Sequence, residues 1–582
     1  MKNLIKIFSV YVTLIFVLGS CDDDFLLEEP KGAVSNAILR NEEGVNTLLI
    51  GAYALLDGHA DEPGQLGQSG EASGHNWIWG DVASDDMYRG DQTGGWGGIN
   101  EIERYEAGAV NTWVHGAWRR YYDAVSRAND ALRVLAEAKS EGNIEDAVAN
   151  QLEAEARFLR AWFHFQLRIK FEKVPYITED VDPVTVSNDV EIWDLIEEDI
   201  QWGIDNGMDE SPDLGRASRW AAKAFKARVH LFQEEWESAR ILLDDIIDNG
   251  GFVLEDHFYN NHDEEFQNNG EAIFEIQYSV NDGGDKFNSG YDHQVLFPRQ
   301  TGNCCDYSGP SFDLFNAFKV DANGLPFLDT FQDDLLLEDF LVEFDADFTP
   351  TTELLDPRVD WTIGRRGVMF LDWGPYTGNN WPLDPIGMGP FLNKKIMFWE
   401  RNASWIQTTA AHWAGGLNGD NFSLFRLGHI LLWRAEVAVE LNDLPRALNL
   451  VNQIRLRASD DIFMGRINNT NFAPGYVLDI DMTQPAANYL LGQYPPFTDA
   501  TQAMKAVRHE MRLEFALEGM RFFDLVRWGI DSETLNGYLE SEDGLRPWMV
   551  GATYVDGKND HWPVPQVELD LSNGVLTQDP AY

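Results

Sequence analysis

The fold of this chain is decided in residues 422–458, which read FSLFRLGHILLWRAEVAVELNDLPRALNLVNQIRLRA. Apolar residues recur there at helical spacing, and the pattern predicts two consecutive helices. Between them, Asp443 can cap the second helix, and Pro445 falls in its first turn, where a missing N–H costs nothing. The short loop predicts that the two helices run antiparallel.

A second copy of this helical pair lies earlier in the chain, where Ala239 corresponds to Ala447, 208 residues later. Two apolar stripes define the copy: Trp220, Ala224, Ala227 and Leu231, then Trp236, Ala239, Leu243 and Ile246. Repeated helical pairs of about 34 residues are typical of tetratricopeptide arrays. Because one pair cannot bury its own apolar face, further pairs must stack on it. The sequence therefore predicts a mainly α fold, built as a tetratricopeptide-like array of helical hairpins.

The rest of the chain divides by composition. Helical periodicity extends the array through residues 117–135, 152–169 and 190–203. It fades in the following segment, where frequent Gly, Pro, Asn and Asp predict a large loop-rich elaboration with short strands, for example over 272–280. The predicted divisions are residues 1–20, a signal peptide; 21–250, an N-terminal helical part with a long loop at 58–108; 251–420, a loop-rich aromatic insertion; and 421–582, a C-terminal helical part.

The composition restricts the ligands that this chain can bind. Its 582 residues carry a formal charge of −52, from 44 basic and 96 acidic side chains. This charge argues against nucleic acid, anionic lipid headgroups and polyanionic ligands, so we expect a neutral ligand. The 20 Trp residues indicate that some indole rings face a ligand, although large helical cores also use Trp.

The N-terminus has the features of a secretory signal. Two lysines precede an apolar run over residues 7–18, which is too short to span a bilayer of about 30 Å. Small residues before Cys21 resemble a bacterial lipobox, and the acidic run at 22–24 resembles the surface-export signal of Bacteroidetes lipoproteins. We therefore predict that lipidated Cys21 is the only membrane anchor, at the outer membrane and exposed at the cell surface. The alternative is an ordinary signal peptide, with Cys21 incidental.

The long loop at residues 58–108 predicts one part of a binding site. Loops of this length in compact proteins are usually functional or disordered, and its aromatic residues argue against disorder. Trp77, Trp79 and Trp96 could each stack on the apolar face of a sugar ring, while Asp85 and Asp86 could accept hydrogen bonds from its hydroxyl groups. Trp96 is the best single candidate because glycines flank it. The alternative for Trp77 and Trp79 is that they pin the loop onto the body.

The insertion at residues 251–420 is dense in aromatic residues and predicts the other part of the site. Tyr307, Trp373 and Tyr376 are our candidates there. The insertion also contains Cys304 and Cys305, which have only each other as partners if Cys21 is lipidated. They either form a strained vicinal disulfide, whose flat ring could stack on a sugar, or remain reduced and buried. Mass spectrometry of the non-reduced protein distinguishes the two states.

Motifs of catalysis and cofactor binding are missing from the sequence. It contains no His-Glu-x-x-His pair, phosphate-binding loop, nucleophile elbow or dinucleotide fingerprint. With 96 acidic residues, a carboxylate pair for glycoside hydrolysis could always be chosen and would carry no information. We therefore predict a protein that is not an enzyme, with no cofactor and no metal site.

A helix predicted over residues 508–528, RHEMRLEFALEGMRFFDLVRW, carries charges on one side and apolar residues on the other, and Gly519 can end it. It closely resembles the signature helix of the SusD/RagB family of outer-membrane lipoproteins, with Met511 where Arg is usual. Four further stretches resemble the same family: AEARFLRAW at 154–162, FRLGHILLWRAE at 425–436, WPVP at 562–565 and QDPAY at 578–582. The resemblance extends from Cys21 to the last residue.

This resemblance implies a cell-surface glycan-binding protein that forms a lid on a SusC-like TonB-dependent transporter and delivers oligosaccharides to it. It implies a binding site built from aromatic and polar groups on loops, which we can match only by region, around Trp96 and around Tyr307. The alternative is a tetratricopeptide-type adaptor that covers the transporter and has no sugar site of its own.

Overall fold

The computed structural model describes residues 36–58, 69–90, 96–283, 288–290, 294–302, 306–408, 417–469 and 478–582. The signal peptide, Cys21 and the pair Cys304 and Cys305 lie outside these residues, so what we inferred about them remains prediction. The division of the chain into four parts also remains a prediction. Among the helices in the described ranges, none combines the length and the apolar character that a membrane span requires.

Helices dominate the regular structure. In chain order they are α1 (Asn36–Leu39), α2 (Glu42–Tyr53), α3 (Gly97–Glu103), α4 (Thr112–Glu141), α5 (Asp146–Phe171), α6 (Trp193–Asn206), α7 (Arg219–Phe232), α8 (Trp236–Asn249), α9 (Phe312–Ala317), α10 (Val359–Thr362), α11 (Ala403–Ile406), α12 (Leu427–Glu440), α13 (Leu444–Ser459), α14 (Ala500–Phe515), α15 (Arg521–Arg527), α16 (Asp531–Ser541) and α17 (Gln566–Leu571).

The strands are short and lie mostly in the predicted insertion and after it. They are β1 (Met87–Tyr88), β2 (Ala272–Ile276), β3 (Gly309–Pro310), β4 (Leu354–Leu355), β5 (Ile363–Gly364), β6 (Leu392–Asn393), β7 (Phe422–Arg426), β8 (Met464–Ile467), β9 (Ile480–Pro485) and β10 (Asn488–Tyr489). They form two-stranded pairs: β1 with β3, β2 with β7, β5 with β6 and β8 with β9 are antiparallel, and β4 with β10 is parallel.

The longer helices form one array in which each contacts the next. Helix α2 packs on α4 and α5, and the contacts continue from α5 through α6 and α7 to α8. Helix α8 then packs against α12, although the whole insertion separates them in the chain, and α12 contacts both α13 and α14. The predicted tetratricopeptide-like helical fold is confirmed, and the segment that we predicted as an insertion lies between two helices that pack together.

The two predicted helical pairs have the same spacing in the structure. Helices α7 and α12 begin 208 residues apart, and so do α8 and α13. In the second pair, the Asp443 side chain caps α13 by accepting a hydrogen bond of 3.2 Å from the Arg446 N–H, and Pro445 lies in the first turn. The repeat deduced from apolar spacing is therefore a structural repeat.

Residues 422–426 form strand β7, so our prediction of a helix beginning at Phe422 was wrong. Arg426 has extended backbone angles, φ −137° and ψ 163°. Its buried guanidinium group forms ion pairs with Glu271 at 3.0 Å and with Glu514 at 2.8 Å. These partners are distant in sequence, and apolar spacing cannot report them.

The segment predicted to lack helical period, residues 58–108, does contain helical turns. Residues Trp77–Val82 form a π-helical turn, and α3 lies near the end of the segment. Both elements are too short for a periodic apolar stripe to reveal them. The strand predicted over 272–280 is present as β2, which ends at Ile276.

The signature helix ends earlier than we predicted. Helix α14 stops at Phe515, and α15 begins after a turn. Gly519, with φ +73°, serves a close approach between two segments: a Cβ there would lie 1.8 Å from the His75 carbonyl oxygen. The Gly519 N–H also donates to the buried carboxylate of Asp81 at 3.0 Å. This turn therefore joins the C-terminal helices to the segment that leads towards Trp96.

Candidate functional site

The two regions selected from the sequence meet in the structure. The ring centroids of Trp96 and Tyr307 are 5.1 Å apart in an edge-on arrangement, and the Trp96 ring is 5.4 Å from that of Trp113. Trp96 is half-buried, whereas Trp113 and Tyr307 are largely buried. These three rings form an aromatic patch, which we call the Trp96 patch, with Trp96 as its most accessible member.

Strand pairing explains why the regions meet. Tyr88 in β1 pairs with Gly309 in β3. Tyr307 lies two residues before Gly309 in the chain, and Arg89 lies one residue after Tyr88. The Arg89 guanidinium carbon lies 4.4 Å from the centroid of the Tyr307 ring. This short two-strand contact places a cation against one ring of the patch.

Asn111 fixes the other side of the patch. Its side chain caps α4 by accepting a hydrogen bond of 2.9 Å from the Trp113 N–H, and it donates to the Gly98 carbonyl at 2.8 Å. Trp96 precedes α3 with a left-handed φ of +63°. One amide side chain thus holds the starts of α3 and α4, and with them Trp96 and Trp113, in place.

A buried polar network supports Arg89. Its backbone N–H donates to Glu103 at 3.4 Å, and Glu103 also accepts a hydrogen bond of 2.6 Å from Arg546. The Arg546 guanidinium lies 3.9 Å from the Tyr88 ring centroid, and the Tyr88 hydroxyl donates to Glu542 at 2.6 Å. Burial raises the pKa of Glu542 to about 7. These buried contacts therefore link Arg89, which lies against the patch, to Glu103, Arg546 and Glu542.

Asp306 fixes the segment that carries Tyr307. Its buried carboxylate accepts backbone hydrogen bonds from Arg299 at 2.8 Å and from Leu383 at 2.7 Å. Burial raises the pKa of this carboxyl to about 7 despite those bonds. Arg89 and Trp113 were missed because only the fold shows that they adjoin Tyr307 and Trp96. Asp306, the chain neighbour of Tyr307, was missed because the sequence does not show that its carboxylate is buried.

Trp77 and Trp79 are not available to a ligand, so their selection as ligand contacts was wrong. They are 1% and 0% exposed. The Trp79 ring contacts that of Trp562 at 4.7 Å, and its Nε1–H donates to the Glu71 carbonyl at 2.8 Å. These rings pin the loop onto the body, which was the alternative interpretation.

Asp85 and Asp86 are also fully buried. Their selection as acceptors of hydrogen bonds from a sugar was therefore wrong. Asp85 pairs with Arg521 at 2.8 Å, and Asp86 pairs with Arg512 at 2.8 Å. Burial by itself would raise the pKa of Asp85, but the charges of the two arginines outweigh it and hold the pKa at about 2. These carboxylates join the loop to the signature helix and accept nothing from solvent.

The two remaining candidates, Trp373 and Tyr376 in the predicted insertion, differ in exposure. Tyr376 is 0% exposed and donates its hydroxyl to the Pro390 carbonyl, so it offers no ring face and its selection was wrong. Trp373 is half-buried, and its Nε1–H donates to the Phe398 carbonyl at 2.8 Å. The Phe398 ring also contacts that of Phe297 at 6.0 Å. Trp373 therefore remains a candidate.

Comparison with known proteins decides the family. The model of the SusD family matches residues 270–582. The chain belongs to the SusD family. A second family model, described as starch-binding and associating with the outer membrane, matches residues 24–231. Together the two matches take in the Trp96 patch and most of the array and of the predicted insertion; α8 lies between them.

Curated SusD-like proteins are distant relatives of this chain. A SusD-like protein of Bacteroides ovatus is 26% identical over 288 residues, which are 46% of this chain and 49% of the relative, so the chain matches about half of that relative's length. SusD-like protein P25 of Formosa agariphila is 22% identical over 98% of this chain and 97% of its own length.

Solved structures share the fold at low identity. A SusD superfamily protein of Bacteroides vulgatus superposes with a TM-score of 0.67 and 19% identity, covering 94% of this chain and 100% of that one. Surface glycan-binding protein A of Bacteroides thetaiotaomicron, solved with laminarihexaose, gives a TM-score of 0.64 and 17% identity, covering 93% and 100%. At this identity the likeness establishes the fold.

Proposed function

We propose that this protein is a glycan-binding lipoprotein of the outer membrane that captures a neutral oligosaccharide at the cell surface. The Trp96 patch is the proposed binding site. The observation that carries the proposal is the 5.1 Å contact between the Trp96 and Tyr307 rings, which brings together the two regions that the resemblance had indicated. A fold relative solved with laminarihexaose supports a carbohydrate as the ligand class.

The chemistry of the patch suits a sugar ring. Aromatic faces bind the apolar C–H faces of sugars, and the charge of −52 disfavours anionic ones. A sugar covering half of an indole face of roughly 200 Å² contributes about 2.5 kcal/mol at about 25 cal/mol per Å². Association costs at least about 4 kcal/mol, so one ring is insufficient. Trp373, further along the insertion, is the proposed second platform, and the largely buried Tyr307 supports Trp96 through its edge-on contact.

We further propose that the bound oligosaccharide passes to a SusC-like TonB-dependent transporter, on which this protein forms a lid. Lipidated Cys21 would provide the membrane anchor. Membership of the SusD family and the outer-membrane association in the second family description support this proposal. Co-purification of a TonB-dependent receptor with the tagged, lipidated protein from its native membrane tests it.

The sugar-binding proposal is tested by isothermal titration calorimetry with laminarihexaose and a panel of other neutral oligosaccharides. We expect heat from at least one sugar, and its loss in Trp96→Ala. Trp405→Ala is the matched control, because Trp405 is 49% exposed and lies outside the patch. Silence across the panel, or unchanged binding by Trp96→Ala, would overturn the proposal.

The burial of Trp77, Trp79 and Tyr376 favours a second candidate, the adaptor without its own sugar site. In that case, the transporter complex would form normally while every purified sugar gave no heat. Trp96→Ala would then also leave glycan uptake by cells unchanged. These outcomes separate the adaptor from the capture protein.

A further inference from the structure

Three side chains of types that commonly bind metals meet where the end of α5 lies beside the last residues of the chain. Glu172, His561 and Asp579 each offer one atom, and these atoms lie within 4.8 Å of one another. His561 Nε2 is 3.7 Å from Glu172 Oε2 and 3.8 Å from Asp579 Oδ2. We call these residues the C-terminal trio.

Backbone hydrogen bonds set this arrangement. The Trp562 N–H donates to the Lys170 carbonyl at 2.7 Å, which places His561 beside the end of α5, where Glu172 follows. The Gln578 side chain holds the last residues by accepting from the Val564 N–H at 3.0 Å and donating to the Val564 carbonyl at 2.8 Å. Three separate segments are therefore fixed around one point.

The turn that contains Asp579 orients its carboxylate group. Oδ1 accepts a hydrogen bond of 2.8 Å from the Ala581 N–H. Oδ2 is left to face His561 and the Lys173 ammonium group, which is 3.5 Å away. The Lys173 side chain is 49% exposed, so it can turn into solvent when a cation occupies the trio.

The His561 ring is oriented as in metal sites. Its Nδ1 lies 3.1 Å from Asp560 Oδ1, an arrangement in which an Nδ1–H donates to that carboxylate and leaves Nε2 to bind a metal ion. His561 is 6% exposed, and its Nε2 has no hydrogen-bond partner. A metal ion bound between Nε2 and the two carboxylate oxygens would give this buried nitrogen a partner. The geometry points to a cation at that position.

We propose that Glu172, His561 and Asp579 bind one divalent transition metal ion, Zn²⁺, and that Asp560 orients the histidine. Zinc binds imidazole nitrogen and carboxylate oxygen at about 2.0–2.2 Å, and donor atoms 3.7 to 3.8 Å apart can share one such ion. Calcium and magnesium prefer oxygen ligands alone. The ion would join the end of α5 to the last residues of the chain.

A second trio provides a matched control. Glu197, His230 and Glu235 also lie within 4.8 Å of one another. There, however, His230 Nδ1 is only 2.7 Å from Glu235, and the Lys226 ammonium group is 3.5 Å from Glu197. The Lys226 side chain is only 13% exposed, so its charge stays against Glu197 and opposes a metal ion.

The test is calorimetric titration of the full-length, chelator-treated protein with ZnCl₂, followed by Co²⁺ substitution and absorption spectroscopy. We expect one tight Zn²⁺ site per chain, lost in His561→Gln and retained in His230→Gln. Asp560→Asn should weaken binding about 10- to 100-fold, as orienting partners of metal ligands do. Glu172→Gln repeats the test if His561→Gln does not fold, because the Glu172 side chain is 43% exposed.

Three results would overturn the site. The first is the absence of tight Zn²⁺ binding by the wild type. The second is Zn²⁺ binding by His561→Gln and Glu172→Gln that equals that of the wild type. The third is loss of Zn²⁺ binding in His230→Gln. Binding of Ca²⁺ or Mg²⁺ as tight as that of Zn²⁺ would contradict the metal class.

Discussion

Arg426 in β7 and Glu514 in α14 form a fully buried ion pair, with Nη1 and Oε1 2.8 Å apart. Glu514 also pairs with Arg358 at 3.1 Å and with Arg457 at 2.5 Å. These positive charges overcome the effect of burial and hold the pKa of Glu514 well below its usual range. The signature helix is thus the centre of an ionic network inside the protein.

Removal of that carboxylate charge should strongly destabilise the protein. Glu514→Gln removes the negative charge that pairs with three buried arginines. We therefore expect a loss of about 3 kcal/mol in the free energy of unfolding. Urea denaturation followed by circular dichroism measures it. Asp329→Asn is the control, since it removes the exposed pair with Lys505 and should cost less than about 1 kcal/mol. Equal losses in the two variants would contradict the network's role.

The ring of Tyr307, rather than its hydroxyl group, should carry its share of sugar binding. Loss of the ring removes the edge-on contact that supports Trp96, so Tyr307→Ala should weaken glycan binding about tenfold, equivalent to about 1.4 kcal/mol. Tyr307→Phe keeps the ring and should bind within about twofold of wild type. Calorimetry with the sugar identified above measures both. An equal loss in both variants would assign the contribution to the hydroxyl group instead.

The buried ring of His164 should make the protein less stable in mild acid. Its Nδ1–H donates to the Arg160 carbonyl at 2.9 Å, and Nε2 accepts from the Ile177 N–H at 3.0 Å, so only the neutral ring fits. Burial lowers the pKa of His164 to about 3, against 6.5 in the unfolded chain. The unfolded state therefore binds more protons between these values, and stability falls as the pH falls through this window.

For His164 this linkage amounts to about 2 kcal/mol between pH 7 and pH 5. We expect His164→Gln to be less stable at pH 7 but to lose about 2 kcal/mol less than wild type on acidification to pH 5. Urea denaturation at the two pH values measures the difference. Trp405→Ala, which changes an exposed side chain that does not titrate, should keep the wild-type pH dependence, and an unchanged dependence in His164→Gln would refute the linkage.

Gly519 should tolerate no side chain. Gly519→Ala would combine a left-handed φ of +73° with a Cβ 1.8 Å from the His75 carbonyl oxygen. We expect a loss of more than about 3 kcal/mol in the free energy of unfolding. Gly529→Ala shares the left-handed φ, +62°, but meets no atom within 4 Å, so it should cost only about 1 kcal/mol. Thermal and urea denaturation compare the two, and similar losses would show that the close approach to His75 is unimportant.

The sequence predicted the helical fold more successfully than the residues of the binding site. The helical pairs were predicted with correct spacing because the apolar stripe of a helix is a local pattern, readable wherever the helix is long. Selection of Trp77 and Asp85 failed because sequence shows residue type and not exposure. The same aromatic and acidic residues that suit a sugar also suit a core and its buried ion pairs.

The repeated helical pairs, and the motifs that resemble the SusD/RagB family, could be read from the amino-acid sequence alone. The three-dimensional fold was needed to show that Trp96 meets Tyr307, that Arg426 meets Glu514, and that Glu172 and Asp579 face His561. The difference lies in the range over which these interactions act. Helix periodicity and capping act over a few residues, whereas a binding patch, a buried ion pair or a metal site depends on contacts between segments that the chain separates by tens to hundreds of residues.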